Sequence, residues 1–171
     1  MAKEDYPSLA LRTNVLSLII LKLTRKDLAA RMRQRRVTIG VPAFIVLRHL
    51  QHKPTTIREL GDHMMLAPAT LVPIIDRLER KGLVKRGTDT ADRRRNPISL
   101  TAKGSTLLAS LPLVDKGSAL TRTLEKMGPG KSRQLVASLE HLASMLVEGD
   151  DAARRTLEML NHETACGTVA R

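Results

Sequence analysis

The spacing of apolar residues predicts helices at the start of the chain. Over 8–32, apolar positions recur mostly at intervals of three, four and seven residues, which indicates one long amphipathic helix. Its first half is apolar over more than one face, so we expect part of it to pack against a second subunit. A second helix is predicted to start near Pro42, and its buried stripe comprises Phe44, Leu47 and Leu50.

A similar pattern predicts helices in the last third of the chain. The first covers 101–127, with a bend near Pro112, because proline removes one backbone hydrogen bond. The second covers 131–147 and carries a single apolar stripe. A shorter helix is expected over 151–160, and 162–171 is predicted to be a flexible tail.

The middle of the chain carries sharper local signals. Thr56 and Glu59 have the spacing of a capping box, which predicts a helix over 57–64. Pro68 lies in the first turn of a further helix that Gly82 ends. Two short helices joined by a tight turn, with small and polar residues opening the second, are typical of a helix-turn-helix.

A basic hairpin is predicted directly after this pair of helices. Short alternating runs over 83–86 and 97–100 flank a polar stretch that contains Arg93, Arg94 and Arg95. The fold class is therefore mainly α with a small β-wing. A winged helix-turn-helix DNA-binding domain is expected over 37–101, with helical dimerisation regions over 8–36 and 102–161.

Charge narrows the class of partner. The 171 residues include 29 Lys and Arg against 17 Asp and Glu, a net charge of +12, which favours nucleic acid or an anionic membrane surface. The longest apolar run, 15–21, is far too short to span a bilayer. Tyr6 and Phe44 are the only aromatic residues, so stacking on single strands is disfavoured. The basic segment 22–36 is either a solvated face or a positive surface near DNA.

Other candidate chemistry is weak. His49, His52 and His63 invite a metal site, but no carboxylate or thiol has matching local spacing. The single cysteine, Cys166, excludes an intramolecular disulfide and fits a reducing cytoplasm. Asp76 and Glu79 could form an acid–base pair, but we expect them to pair with Arg80 and neighbouring cations. We expect no enzyme activity, no cofactor and no metal.

Five strings of residues, in this order, give the chain a resemblance to a known family. They are Glu59-Leu60-Gly61, Leu66-Ala67-Pro68-Ala69-Thr70, the run from Asp76 to Arg86, Asp92-Arg93-Arg94 and Leu100-Thr101-Ala102-Lys103-Gly104. Together they resemble the MarR family of bacterial transcription regulators. The resemblance covers about 9–147 and implies a winged-helix homodimer on double-stranded DNA with a pseudo-palindromic operator.

The resemblance also implies which residues contact DNA. The start of the second helix of the pair would meet base edges, Arg94 would enter the minor groove, and Asp92 would orient that arginine. Thr55 and Thr56, expected to offer free N–H groups, suit phosphate binding. The full predicted set is Thr55, Thr56, Ala67, Pro68, Ala69, Thr70, Leu71, Val72, Pro73, Arg77, Lys85, Asp92, Arg93, Arg94 and Arg95.

This chain departs from the family pattern where bases would be contacted. Many members have serine at Ala69, and Ser or Thr followed by Arg at Val72 and Pro73. Thr70 is left as the one hydroxyl that could bond a base edge, while apolar side chains could touch thymine methyl groups. We therefore expect more specificity from the wing and from DNA shape.

Two functions are consistent with these features. The first is a cytoplasmic homodimeric repressor, released from its operator by a small amphipathic or aromatic effector in a pocket that the resemblance implies. The alternative is a winged-helix module that docks other proteins and binds nucleic acid only non-specifically. The arginines beside Asp92 favour the first, because a docking module has little need for them. A membrane partner is not expected.

Overall fold

The computed structural model describes residues 5–88 and 96–151, together with 153, 154, 157 and 158. This part of the chain is mainly helical with one small sheet, as predicted. Its elements, in order, are α1 (Tyr6–Gln34), α2 (Val41–His49), α3 (Ile57–Met64), α4 (Pro68–Arg80), β1 (Val84–Arg86), β2 (Ile98–Leu100), α5 (Ala102–Ser110), α6 (Ala119–Met127) and α7 (Pro129–Leu146).

The hydrophobic core lies inside the winged unit. Phe44 and Leu47 of α2, Leu60 of α3 and Ile75 of α4 have no exposed surface, and they pack with the first residues of the hairpin and with α5. The predicted stripe on α2 is confirmed. The C-terminal half of α1 joins this core through Leu28 and Met32, which are the buried residues of this helix.

The hairpin is antiparallel and is extended by a third segment. Val84 pairs with Leu100 and Arg86 pairs with Ile98. Thr55, just before α3, forms an isolated antiparallel bridge with Ile98. The start of α3 is therefore fixed to the base of the wing.

The prediction of one continuous helix over 101–127 is wrong. The segment contains two helices, because Leu111 adopts an extended backbone that ends α5, as the residue before a proline commonly does. Ser118 then caps α6 by accepting a hydrogen bond from the Thr121 N–H at 3.2 Å. The segment 111–118 between the two helices is a connection held by α1, and the chain does not merely bend at Pro112.

Apolar side chains remain exposed along α1 and α7. Leu11 and Leu18 in the first half of α1 are each 66% exposed, and Leu146 of α7 is 73% exposed. Neither α6 nor α7 contributes a buried residue. Large exposed apolar patches mark interaction surfaces in soluble proteins. These helices thus carry a surface that the single chain leaves uncovered.

Three predicted features lie wholly or partly outside the described residues. The wing tip, with Asp92, Arg93, Arg94 and Arg95, lies outside the described residues. The short helix over 151–160 is described at five positions only, and the tail over 162–171, including Cys166, is not described. These predictions stay predictions.

Candidate nucleic-acid interface

The turn between α3 and α4 is fixed by local geometry. The Thr56 hydroxyl accepts from the Glu59 N–H at 3.3 Å, while the Glu59 carboxylate accepts from the Thr56 N–H at 2.8 Å. The predicted capping box is therefore confirmed. At the other end of α3, Met65 takes a left-handed conformation with φ 53°. A Cβ on Gly61 would lie 2.8 Å from the Leu66 carbonyl oxygen, so only glycine fits this corner without a shift.

The first turns of α4 present a mostly apolar outer face. Ala67, the N-cap, makes no side-chain capping bond, and Pro68, Ala69, Thr70, Val72 and Pro73 are exposed. The Thr70 N–H donates to the Ala67 carbonyl at 2.9 Å. The Thr70 hydroxyl is exposed and is the polar side-chain group among these residues. Seven residues, 67–73, were predicted to meet base edges, and the structure exposes six of them together at the start of α4.

Leu71 does not belong to that set. Its side chain has no exposed surface and packs in the core with Ile75 and Leu78 on the inner stripe of α4. A contact between Leu71 and a thymine methyl group would require it to leave the core, so this prediction is wrong.

Pro73 changes the hydrogen bonding of the same face. α4 continues through it without a break, yet proline has no N–H to give to the carbonyl four residues earlier. That carbonyl belongs to Ala69, which is exposed. Pro73 therefore leaves the Ala69 carbonyl without its usual helical donor.

Thr55 and Thr56 do not offer free N–H groups, and this part of the prediction is wrong. The Thr55 N–H donates to the Ile98 carbonyl at 3.0 Å, and its hydroxyl donates to the Lys53 carbonyl at 3.0 Å. The Thr56 N–H is bonded to Glu59. Both threonines build the α3 start and the wing base, and Thr55 is 97% buried, being only 3% exposed.

Asp76 and Glu79 pair with Arg86 of β1 and not with Arg80. The Arg86 guanidinium donates to Asp76 at 2.5 Å and also to Glu79, and the Arg86 N–H donates to Glu79 at 3.1 Å. The hydrogen bond to Asp76 raises the pKa of Arg86 above its ordinary value. Such exposed pairs add little stability, but this one joins β1 to α4 and gives both carboxylates a cationic partner. Arg77 and Lys85 are exposed nearby.

The base of the wing is locked to α4 and α5. α4 ends at Gly82, where the Gly82 N–H reaches Glu79 at 2.8 Å and the Leu83 N–H reaches Leu78 at 3.0 Å, a Schellman motif. The Thr101 hydroxyl donates to the Gly82 carbonyl at 2.6 Å. A Cβ on Gly104 would come within 2.2 Å of the Leu83 carbonyl oxygen, so α5 touches the backbone before β1.

Parts of this chain match known proteins in sequence and in fold. Residues 42–95, which cover α2 to the wing, match the sequence profile of the MarR family. The winged-helix unit is therefore similar to the MarR family. The transcriptional regulator HosA of Escherichia coli O157:H7 is 37% identical over 76 residues, which is 43% of this chain and 56% of HosA.

Solved structures share the fold beyond residues 42–95. AbfR of Staphylococcus epidermidis superposes with a TM-score of 0.67 at 22% identity, over 84% of this chain and 97% of that chain. Overoxidized AbfR bound to DNA gives a TM-score of 0.59, also at 22% identity, over 84% of this chain and 97% of that one. At this identity the likeness shows the fold alone. The chain spans about half the length of the curated relatives it matches.

A cavity lies between the winged unit and the long helices, where the family resemblance implies a pocket whose lining residues were not predicted. It measures about 510 Å³, a size typical of small-molecule sites. Its walls are mainly apolar, with a few polar groups. The lining residues are Ser17, Ile20, Leu21, Thr24, Arg25, Asp27, Leu28, Arg31, Ile45, Leu113, Val114, Ser118, Leu120 and Leu139. Sequence patterns could not identify these residues, because the walls come from five separate parts of the chain.

Arg31 holds one wall of this cavity in place. Its guanidinium donates to the Pro112 carbonyl at 3.1 Å, the Leu113 carbonyl at 2.6 Å, Asp115 at 3.1 Å and Asp27 at 3.1 Å. The Arg31 side chain is only 11% exposed. The connection over 111–118 is thereby tied to α1.

Two other kinds of site are absent from the described part of the chain. No group of three or more His, Cys, Asp or Glu side chains in that part of the chain could hold a metal ion. None of the helices described is both long and apolar enough to cross a bilayer.

Proposed function

We propose that this protein is a sequence-specific, double-stranded-DNA-binding transcription regulator that acts as a homodimeric repressor in the cytoplasm. The observation that carries the proposal is the face of α4 from Pro68 to Pro73, exposed on the outside and fixed from behind by Leu71 and Ile75. A rigid helix with an exposed N-terminal half is what major-groove contact requires. The DNA complex of AbfR and the name of HosA support this assignment. No enzymatic activity is proposed.

The dimer would form through α1, α6 and α7. Their exposed leucines and isoleucines need a cover, and a second copy of the same surface supplies one in a two-fold dimer. This proposal retains 8–36 and 102–161 as the dimerisation region and 37–101 as the DNA-binding domain. Two α4 helices would then meet half-sites of a pseudo-palindromic operator about 34 Å apart.

Base contact by Thr70 gives the first prediction. An operator is first obtained by selecting the genomic fragments that the purified protein binds. In a gel-shift titration, Thr70→Ala should weaken binding to this operator about tenfold, because a base-edge contact contributes about 1–3 kcal/mol. The slope of affinity against salt should not change, because no phosphate contact is lost.

The matched control is Thr123→Ala, which removes an exposed hydroxyl from α6. Unchanged affinity in the Thr70 variant would remove base contact by this residue. Light scattering at micromolar concentration should give twice the chain mass of 18.9 kDa. A mass of one chain would end the dimer proposal, and equal affinity for random and selected DNA would end sequence-specific binding.

The 510 Å³ cavity is proposed as the effector site. Its apolar walls with Thr24, Ser118 and Arg25 at the lining suit an amphipathic or aromatic molecule. A ligand there touches α1, α6 and the 111–118 connection together, so it can favour one spacing of the two DNA-binding units. The shift is limited to its differential affinity for the two spacings.

Filling this cavity is the second prediction. Phenolic compounds and aromatic carboxylic acids are screened for release of operator DNA, and Thr24→Phe should abolish the response to any active compound because the ring occupies the space. Thr123→Phe is the control. Thr123 is also a helical threonine whose hydroxyl donates to a backbone carbonyl four residues earlier, but it lies outside the cavity, so this variant should keep the response. Equal release from both variants would place the effector site elsewhere.

A further inference from the structure

A second cavity, which we call the basic cavity, has no place in the proposed DNA or effector sites. It measures about 650 Å³ and lies between the α1–α2 connection, the C-terminal end of α4 and one face of α5. Five of its lining residues are Arg or Lys and none is Asp or Glu. The cations are Arg35, Arg36, Arg80, Lys81 and Lys103.

The charges of the basic cavity are positioned but not neutralised. The Lys103 ammonium donates to the Lys81 carbonyl at 2.9 Å, and the Lys81 ammonium lies 3.4 Å from the Thr38 hydroxyl. Neutral acceptors fix a cation without cancelling its charge. Arg36 and Arg80 are exposed, and neither forms an ion pair with another described residue. Arg35 alone has a carboxylate, Asp115, at 3.7 Å.

The remaining walls supply two other kinds of contact. Thr38, Thr106 and Ser110 bring hydroxyl groups to the lining. Ile39 and Leu83 form an apolar floor and are almost fully buried. Cations and hydroxyls suit phosphate oxygens, whereas an apolar floor suits a ring. The volume lies within the range of small-molecule sites.

The basic cavity is separate from the proposed DNA-contacting face. Arg80 is the last residue of α4 and Pro68 the first. With a rise of about 1.5 Å per residue, the two ends of the helix are roughly 18 Å apart. A cluster of cations at the far end is therefore not explained by major-groove contact at Thr70.

We propose that the basic cavity binds an oligophosphate chain on Arg36, Arg80 and the two lysines, and that any organic group attached to the chain lies over Ile39 and Leu83. Like charges held close together destabilise the folded chain, and a bound polyanion removes that repulsion. A guanidinium group can donate two parallel hydrogen bonds to the oxygens of one phosphate. The two arginines would therefore supply most of the affinity. The ligand is a free oligophosphate or the phosphate tail of a nucleotide.

Calorimetric titration of the 171-residue protein with ATP and, separately, with tripolyphosphate tests this proposal. We expect saturable binding with one site per chain. A double variant, Arg36→Asn with Arg80→Gln, should lower the affinity at least about tenfold, since two charge-assisted contacts are lost. Asparagine is chosen because Arg36 has φ 54°, a conformation that asparagine tolerates.

The control double variant is Lys126→Gln with Arg133→Gln, which removes the same charge from exposed positions of α6 and α7. An equal loss in both doubles would mean that binding follows net charge, and would overturn the proposal. So would a greater loss of operator affinity and salt dependence in the cavity double, because the cations would then be DNA phosphate contacts. Tighter binding of ATP than of tripolyphosphate would support a nucleotide ligand. Equal binding would support the phosphate chain alone.

Discussion

Arg31→Met is expected to lower the free energy of unfolding by about 3 kcal/mol, because it leaves two largely buried carboxylates without their cation. Asp27 and Asp115 are only 19% and 18% exposed, and both lie 3.1 Å from the Arg31 guanidinium. Methionine fills much of the same volume but cannot donate to the Pro112 and Leu113 carbonyls. Arg35, at 3.7 Å from Asp115, can replace only part of the lost interaction.

Urea unfolding followed by circular dichroism measures this loss. Arg33→Met, two residues along the same helix at an exposed position, is the matched control and should change the free energy of unfolding by less than about 0.5 kcal/mol. Arg31→Lys should fall between, since lysine keeps the charge but lacks the planar group that reaches several acceptors at once. If Arg31→Met were as stable as the Arg33 variant, Arg31 would not hold the 111–118 connection.

The parts of the fold that the sequence predicted correctly depend on neighbouring residues. The Thr56–Glu59 capping box spans three positions, and the helix it predicts is observed as α3. Gly82 ends α4 within one residue of the predicted end, and it has φ 68° as a helix-ending glycine commonly does. Such signals need no knowledge of distant parts of the chain.

The parts predicted wrongly depend on contacts between distant residues. The break at 111–118 is stabilised by Arg31, which lies 81 positions before Pro112. The Thr55 N–H is occupied by Ile98, and Asp76 by Arg86, across separate elements. No local pattern specifies these pairings.

Leu71 is a different kind of error, because a usable signal was present. Leu71, Ile75 and Leu78 are spaced four and three residues apart, as on one face of a helix, and all three are buried. That spacing predicts an inward position, whereas family resemblance placed Leu71 with its exposed neighbours at the start of α4. For the candidate site, residue periodicity was the better guide at this position.

Gly104→Ala is expected to destabilise the winged unit by about 3 kcal/mol, the upper part of the range for overpacking. The added Cβ would lie 2.2 Å from the Leu83 carbonyl oxygen and 3.2 Å from the Leu100 side chain. A backbone oxygen cannot move aside as a flexible side chain can, and the Leu83 carbonyl also accepts the Thr101 N–H at 3.1 Å. α5 must therefore shift away from the hairpin, and that hydrogen bond is weakened.

The size of the clash predicts an order among three glycine variants in the same urea experiment. Gly61→Ala, with its Cβ 2.8 Å from a carbonyl oxygen, should cost less than Gly104→Ala. Gly130→Ala meets nothing within 4 Å and lies in the first turn of α7, so it should be neutral or slightly stabilising. At temperatures where the Gly104 variant is still folded, it should also bind operator DNA more weakly, because the wing base moves relative to α4. Stability equal to that of the Gly130 variant would show that α5 does not lie this close to the hairpin.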